Sequence, residues 1–237
     1  MRKLITHLFF IFTMSAAVAQ ACNVDENNCV IQALLTQAAQ IDNKNWQSQI
    51  YREAAKTMAK TGDVDAAVAL LPKITNPDTQ ALTIRGIGME VAGLALSKSD
   101  QDQIFKTLKD KAATITHPPS HAIALTYIAM AQAFANDNEG AWATAADMDN
   151  DALRNKAYGE TAEIQAESGN YDAAMKSIGF ISSVSFRNKA YSTVSGILAD
   201  KGHLQHAFDA ADKIVNAYKK ANAFQHILDV KYADEDE

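Results

Sequence analysis

The chain has 237 residues and a formal net charge of −6, from 22 lysines and arginines against 28 aspartates and glutamates. This acidic balance opposes general nucleic-acid binding, which depends on a basic surface. With only 10 glycines and four prolines, the composition is typical of a helical protein. We therefore predict an all-α protein without a nucleic-acid partner.

Residues 1–21 have the three parts of an export signal. Two basic residues follow the first methionine, a mostly apolar stretch comes next, and small residues lead to Ala19 and Ala21, either of which fits a cleavage site. The apolar stretch is shorter than the roughly 20 residues that cross a bilayer, and His7 interrupts it. We therefore expect a signal peptide rather than a membrane span, and a periplasmic or secreted protein.

The two cysteines, Cys22 and Cys29, directly follow the cleavage region. Export permits a disulfide between them, which would close a short loop within an N-terminal segment, residues 22–45, that also holds the first helix. Lipidation of Cys22 is an alternative, but residues 19–21 lack the leucine and the small residue usual in lipoprotein signals. The spacing of the cysteines excludes a CxxC metal or redox site.

The remainder of the chain repeats about every 33 residues. Large residues with this spacing, or near it, are Tyr51, Ile84, Tyr127, Tyr158, Tyr191 and Phe224. Helix breakers follow most of them after eleven residues: Gly62, Asn138, Gly169 and Gly202. Alanines stand five residues after each breaker: Ala67, Ala143, Ala174 and Ala207. A fixed period of this length indicates a stack of small structural units, each covering the apolar face of its neighbour.

Each repeat unit is predicted to hold two helices. Apolar residues recur at intervals of three and four on both sides of the breaker, which is the helical period. Two spacings depart from 33 residues: 43 from Ile84 to Tyr127, and 31 from Tyr127 to Tyr158. They predict a longer second unit with a loop over residues 116–120, and a trimmed third unit.

These repeated residues resemble those of the tetratricopeptide family. That family also places a small residue four positions after the large one, as at Ala55, Gly88, Ala131, Ala162 and Ser195. The resemblance covers residues 46–231, although the period is 33 rather than 34 and the closing proline is missing. It implies a right-handed α-solenoid of antiparallel helix pairs, with about five units and a terminal capping helix. Four of the last six residues of the chain are acidic, which predicts a disordered acidic tail over residues 232–237. A HEAT-type stack is the alternative, although its units are nearer 40 residues.

No catalytic or metal-binding motif emerges from the sequence. We interpret His117 and His121 as loop histidines, because the prolines between them disfavour a regular helix that would align them on a metal. Residues 147–151 imitate the start of a calcium loop, but Ala152 and Tyr158 replace the glycine and glutamate that such a loop requires. We therefore predict no cofactor and no metal.

The family resemblance implies a binding surface on the first helices of the units. Its groove positions correspond here to Arg52, Lys56, Arg85, Gln132, Lys156 and Lys189, with Met89 and Glu163 nearby. Cations on such a face can receive acidic groups of a peptide, although solvation or pairing with neighbouring carboxylates is the ordinary interpretation of each one.

The sequence thus favours a non-enzymatic scaffold or adaptor that binds a protein or peptide on the concave face of the solenoid. Two alternatives stay open. One is an enzyme or ligand-binding protein with a site at the irregular centre, around His117, His121 and Asp147. The other is a structural protein that assembles with itself.

Overall fold

The computed structural model describes residues 22–24 and 27–233, and within them the chain is all-α, as predicted. The described residues form 12 α-helices, one short 3-10 helix at Leu71–Lys73 and no strand. The α-helices are α1 (Asn27–Ala38), α2 (Lys44–Lys60), α3 (Val64–Ala69), α4 (Pro77–Ala92), α5 (Lys98–Ala112), α6 (Pro118–Phe134), α7 (Asn138–Ala146), α8 (Asp151–Glu167), α9 (Tyr171–Gly179), α10 (Val184–Asp200), α11 (Leu204–Asp212) and α12 (Ala217–Tyr232).

Six helices of 16 or 17 residues, the long helices, begin at regular intervals: α2, α4, α6, α8, α10 and α12. The residues that cap their N-termini are Asn43, Asn76, His117, Asn150, Ser183 and Asn216. Each of the four asparagines accepts hydrogen bonds from amides of the first turn, which otherwise have no partner within the helix. The caps are 33 residues apart except for one interval of 41. The period in the sequence is therefore a period of helix starts.

The helices between the long ones, here the partner helices, are α3, α5, α7, α9 and α11. Each long helix contacts the next long helix, from α2 through to α12. Each partner helix contacts the long helix before it and the long helix after it. One buried apolar residue in every link between units joins the common core: Ile74, Ile115, Met148, Ile181 and Ile214. Each unit therefore covers part of its neighbour's apolar surface.

The third unit has the full period, so the prediction of a trimmed unit was wrong. The left-handed residue after α6 is Asn136, with φ of 60°, whereas Asn138 is the first residue of α7. Counting back from Asn136 makes Leu125, not Tyr127, the counterpart of Tyr158, and the interval between them is 33 residues. The repeated alanine of this unit is shifted by the same two residues: Ala141 is fully buried, whereas the predicted Ala143 is exposed. The extra residues all lie in the second unit, where α5 is 15 residues long.

The prediction that His117 and His121 lie in a loop was also wrong. His117 is the N-cap of α6, and His121 lies within that helix. Pro118 and Pro119 occupy the first two helical positions, where the missing amide hydrogen costs no hydrogen bond and the fixed φ suits a helix. Prolines therefore start this helix instead of preventing it.

At the N-terminal end, Cys22 and Cys29 form the predicted disulfide, with their Cα atoms 5.5 Å apart. The bond uses the Cys22 sulfur that lipidation would need. No helix among the described residues is both long and apolar enough to cross a membrane. The predicted signal peptide, residues 1–21, and residues 234–237 of the predicted tail lie outside the described residues. The last helix, α12, includes Tyr232, which we had predicted to belong to the tail.

We expect Gly169→Ala to lower the free energy of unfolding by about 1 kcal/mol, because an alanine is strained in the left-handed region. Gly169 has φ of +78°, and a Cβ built there meets no heavy atom within 4 Å, so backbone strain is the whole effect. Urea denaturation measures the change. Gly179→Ala is the matched control, because its site is equally open and its φ is not positive. Equal losses in both variants would contradict the prediction.

Candidate functional site

The exposed faces of five long helices form one continuous groove. Its first part lies between α2 and α4, with a volume of about 530 Å³. The second part, of about 370 Å³, is lined by α4, α6 and α8, and the third, of about 110 Å³, by α8 and α10. Arg85 lines both the first and the second part, while Lys156, Glu160 and Glu163 line both the second and the third. We call this surface, from α2 to α10, the groove.

The structure brings five of the six predicted site residues to the groove. They are Arg52, Lys56, Arg85, Lys156 and Lys189. Met89 and Glu163 line it as well. These side chains lie on the long-helix faces that the partner helices leave uncovered. The groove positions implied by the family resemblance therefore fall on a shared surface at these five residues.

Gln132 is the exception, because it is buried inside its own helix pair with only 5% of its surface exposed. Its amide nitrogen donates to Asp137 Oδ2 at 3.1 Å, and its oxygen accepts from Thr144 Oγ1 at 2.6 Å. The displaced register of the third unit explains the error. With Leu125 as the reference residue, the groove position that corresponds to Lys56 is Met130, which does line the groove. We therefore remove Gln132 from the set of candidate binding residues.

Gln132 belongs instead to a buried polar arrangement that occurs twice. In the next unit, Gln165 accepts from Ser177 Oγ at 2.5 Å and donates to Asn138 Oδ1 at 2.7 Å. Trp142 also donates its indole N–H to Ser177 Oγ at 2.7 Å. These bonds hold α6 to α7 and α8 to α9 and satisfy polar atoms that burial would otherwise penalise. The arrangement is structural.

Most charged groups of the groove are paired. Arg52 lies 2.7 Å from Glu53, Lys56 lies 3.8 Å from Glu90 and Lys156 lies 3.4 Å from Glu160. Exposed pairs of this kind contribute little to stability, since solvent screens them.

Glu163 is a half-buried carboxylate of the groove. Its burial raises the pKa of its carboxyl group above the ordinary value, and the neighbouring Glu160 adds to this rise. Lys189, from the next long helix, partly opposes the rise in pKa. Lys189 therefore acts as the counter-charge of Glu163 across the groove.

Two groove cations, Arg85 and Lys189, have no carboxylate within 4 Å among the described residues, and Lys189 acts on Glu163 only through its charge. The guanidinium carbon of Arg85 lies 5.0 Å from the centroid of the Tyr127 ring, within the range of a cation–π interaction. Tyr127, which we had predicted to be a core residue, is half-buried and lines the groove. The position of Asn136 nine residues later, where the other units have eleven, is the sequence signal that would have identified this role.

His121 and Asp147, two members of the alternative central site, line a separate cavity of about 210 Å³. The third member, His117, does not line that cavity. Its Nδ1 lies 2.7 Å from Ser120 Oγ, and Ser120 in turn donates to Asp78. Ser120 has no exposed surface, so this chain of hydrogen bonds offers no accessible nucleophile.

His121 also occupies a position with a structural use in other units. In four other long helices, the side chain four residues after the N-cap donates a hydrogen bond to a backbone carbonyl of the preceding segment. These donors are Gln47, Gln80, Arg154 and Lys220. Among the described residues, no group of three or more histidine, cysteine or acidic side chains could hold a metal ion. Asp151, in the calcium-like segment, is paired with Arg154. These contacts favour a structural interpretation of the central segment.

Comparison of the chain with family models, with curated proteins and with solved structures finds no match in any of the three. The resemblance to the tetratricopeptide family therefore stays a prediction from the repeated residues. No activity, ligand or partner is transferred to this chain from another protein.

We expect Gln132→Ala to lower the free energy of unfolding by about 1–3 kcal/mol, because it leaves the buried Thr144 hydroxyl without its acceptor and Asp137 Oδ2 without its donor. Chemical denaturation at pH 7 measures the loss. Gln205→Ala is the matched control, since Gln205 is exposed on α11 and bonds only to Asp209. A loss no larger than in the control would return Gln132 to the candidate binding residues.

Proposed function

We propose that this protein is an exported, tetratricopeptide-like solenoid that binds an extended segment of a protein partner along the groove. The supporting observation is the continuity of the groove across five long helices, with five of the predicted cations along it. An extended surface of this kind suits a peptide segment, because it offers contacts over many residues. The protein acts as a scaffold or adaptor and performs no reaction of its own.

The charge of the groove supports an acidic or polar partner. Five cations and four carboxylates line it, the latter being Glu53, Glu90, Glu160 and Glu163. The groove therefore carries a formal charge of +1 in a chain whose total is −6. Such a local reversal of sign favours the approach and correct orientation of an acidic segment.

Two N-terminal features support an exported location. A disulfide between Cys22 and Cys29 persists in oxidising compartments such as the periplasm or the extracellular space. The sequence of residues 1–21 has the pattern of a cleaved export signal. We place the partner in the same compartment.

We expect the combined change of Arg52, Arg85, Lys156 and Lys189 to glutamate to lower affinity for the partner at least tenfold, because like charges then face an acidic segment. The partner is first captured from the native envelope fraction by crosslinking to the processed protein and identified by mass spectrometry. Affinity is then measured with purified components. Circular dichroism checks that the variant is folded.

A matched control variant changes two exposed cations outside the groove, Lys106 and Lys219, to glutamate. It should keep the affinity of the native protein. A partner bound equally by the native protein and the groove variant would place the binding site elsewhere. A mass in solution above that of the monomer, with no other partner captured, would support self-assembly instead.

The cavity that joins His121 and Asp147 is the observation in favour of an enzyme or small-ligand site. We expect His121→Ala and Asp147→Ala to leave partner affinity within twofold of the native value, because neither residue lines the groove. Binding assays on the purified variants test this, with thermal unfolding to monitor stability. Loss of cellular function in a variant that keeps both its stability and its partner would favour the enzyme.

A further inference from the structure

We propose that Arg85 and Tyr127, with the apolar side chains beside them, form a subsite that selects an acidic side chain followed by an apolar one in the bound segment. This inference rests on the proposed function for the existence of a bound segment. It adds the chemistry by which one position of that segment is recognised.

The charge argument starts from pairing. Arg52, Lys56 and Lys156 each have a carboxylate within 4 Å. Lys189 has none at that distance among the described residues, although its charge acts on Glu163. Arg85 is exposed and has no ion pair among the described residues. A ligand carboxylate at Arg85 therefore gains a charge-assisted pair without displacing one that already exists. At Arg52, Lys56 and Lys156 the ligand must compete with a protein carboxylate.

The contact with the Tyr127 ring preorganises the Arg85 guanidinium for binding a ligand carboxylate. A guanidinium stacked on an aromatic face keeps its N–H edge free to donate two parallel hydrogen bonds to a carboxylate. Less rotational freedom of the side chain is then lost when the ligand binds. A lysine in place of Arg85 would keep the positive charge but would lack the two parallel N–H donors of the guanidinium.

The apolar half of the subsite lies on the next long helices. Ile123 and Met130 of α6 and Leu153 of α8 line the same part of the groove as Arg85 and Tyr127. All three are half-buried and contact the solvent-filled space directly. A ligand side chain beside the carboxylate buries apolar surface there, at about 25 cal/mol per Å² removed from water.

The carboxylate comes from a side chain and not from a chain terminus. Arg85 lies where the parts of about 530 Å³ and 370 Å³ meet, so the groove continues on both sides of it. A segment bound there passes through in both directions. A terminal carboxylate would leave one of these two parts unfilled.

The experiment selects ligands from a phage-displayed library of random twelve-residue segments, fused at the C-terminal end so that no terminal carboxylate is free. The bait is the processed protein, and Arg85→Gln is selected in parallel. We expect the native bait to enrich an aspartate or glutamate followed by an apolar residue, and the variant to lose that preference. A native selection without this motif overturns the inference.

Affinities of one enriched peptide and its glutamine counterpart then complete a double-mutant cycle. We expect Arg85→Gln and the change in the peptide each to raise Kd about tenfold, and both together to raise it no further, since they remove one interaction. Tyr127→Leu should reduce the preference for the acidic residue, and Arg85→Lys should restore part of it. Lys106→Gln, at an exposed cation outside the groove, is the control and should leave the preference intact. Additive effects of the two changes overturn the inference.

Two outcomes separate this inference from the proposed function. Peptides that bind only with a free C-terminal carboxylate, and not when amidated, show a subsite for a chain end and overturn the side-chain assignment. An envelope partner that depends on the groove cations but binds Arg85→Gln normally supports the adaptor function and overturns the subsite.

Discussion

Small residues between neighbouring helices set the close helix spacing on which the rest of the molecule depends. Ala55 and Ala162, at equivalent repeat positions, have no exposed surface, and Gly88 takes the same position in the second unit. A methyl group at Gly88 would lie 3.1 Å from the Ala131 Cβ on the next long helix, so α4 and α6 approach as closely as a glycine permits. This spacing lets side chains from adjacent long helices line common parts of the groove.

The repeat positions implied by the family resemblance brought five of the six candidate residues to the groove, because a repeat position fixes which face of a long helix a residue occupies. This assignment failed in the third unit, where Leu125 and Tyr127 are only two residues apart and both are large. Choosing the aromatic residue moved the whole unit by two positions. Because of that single shift, the prediction missed Tyr127 as a groove residue and assigned the buried Gln132 to the groove. Burial and the backbone angle of Asn136 resolve the choice, and neither is a property of composition.

The pairing of charges was beyond sequence analysis for a different reason. The contact of Lys56 with Glu90 joins two helices, so it depends on their separation and relative rotation. Burial in the intact groove raises the pKa of Glu163, and Lys189 of another helix partly opposes this rise. Sequence periodicity contains no interhelical distances. It could therefore list the cations but could not show which of them lack a carboxylate partner.

The paired charges have a consequence for specificity. Glu160 and Glu163 line the same part of the groove as Arg85, so an acidic ligand residue placed toward α8 meets carboxylates instead of a free cation. Repulsion at the wrong position discriminates as effectively as attraction at the right one. A groove in which most cations lie near an acid is therefore a weak general binder of acidic chains, but it discriminates strongly between positions of the acidic residue along a segment.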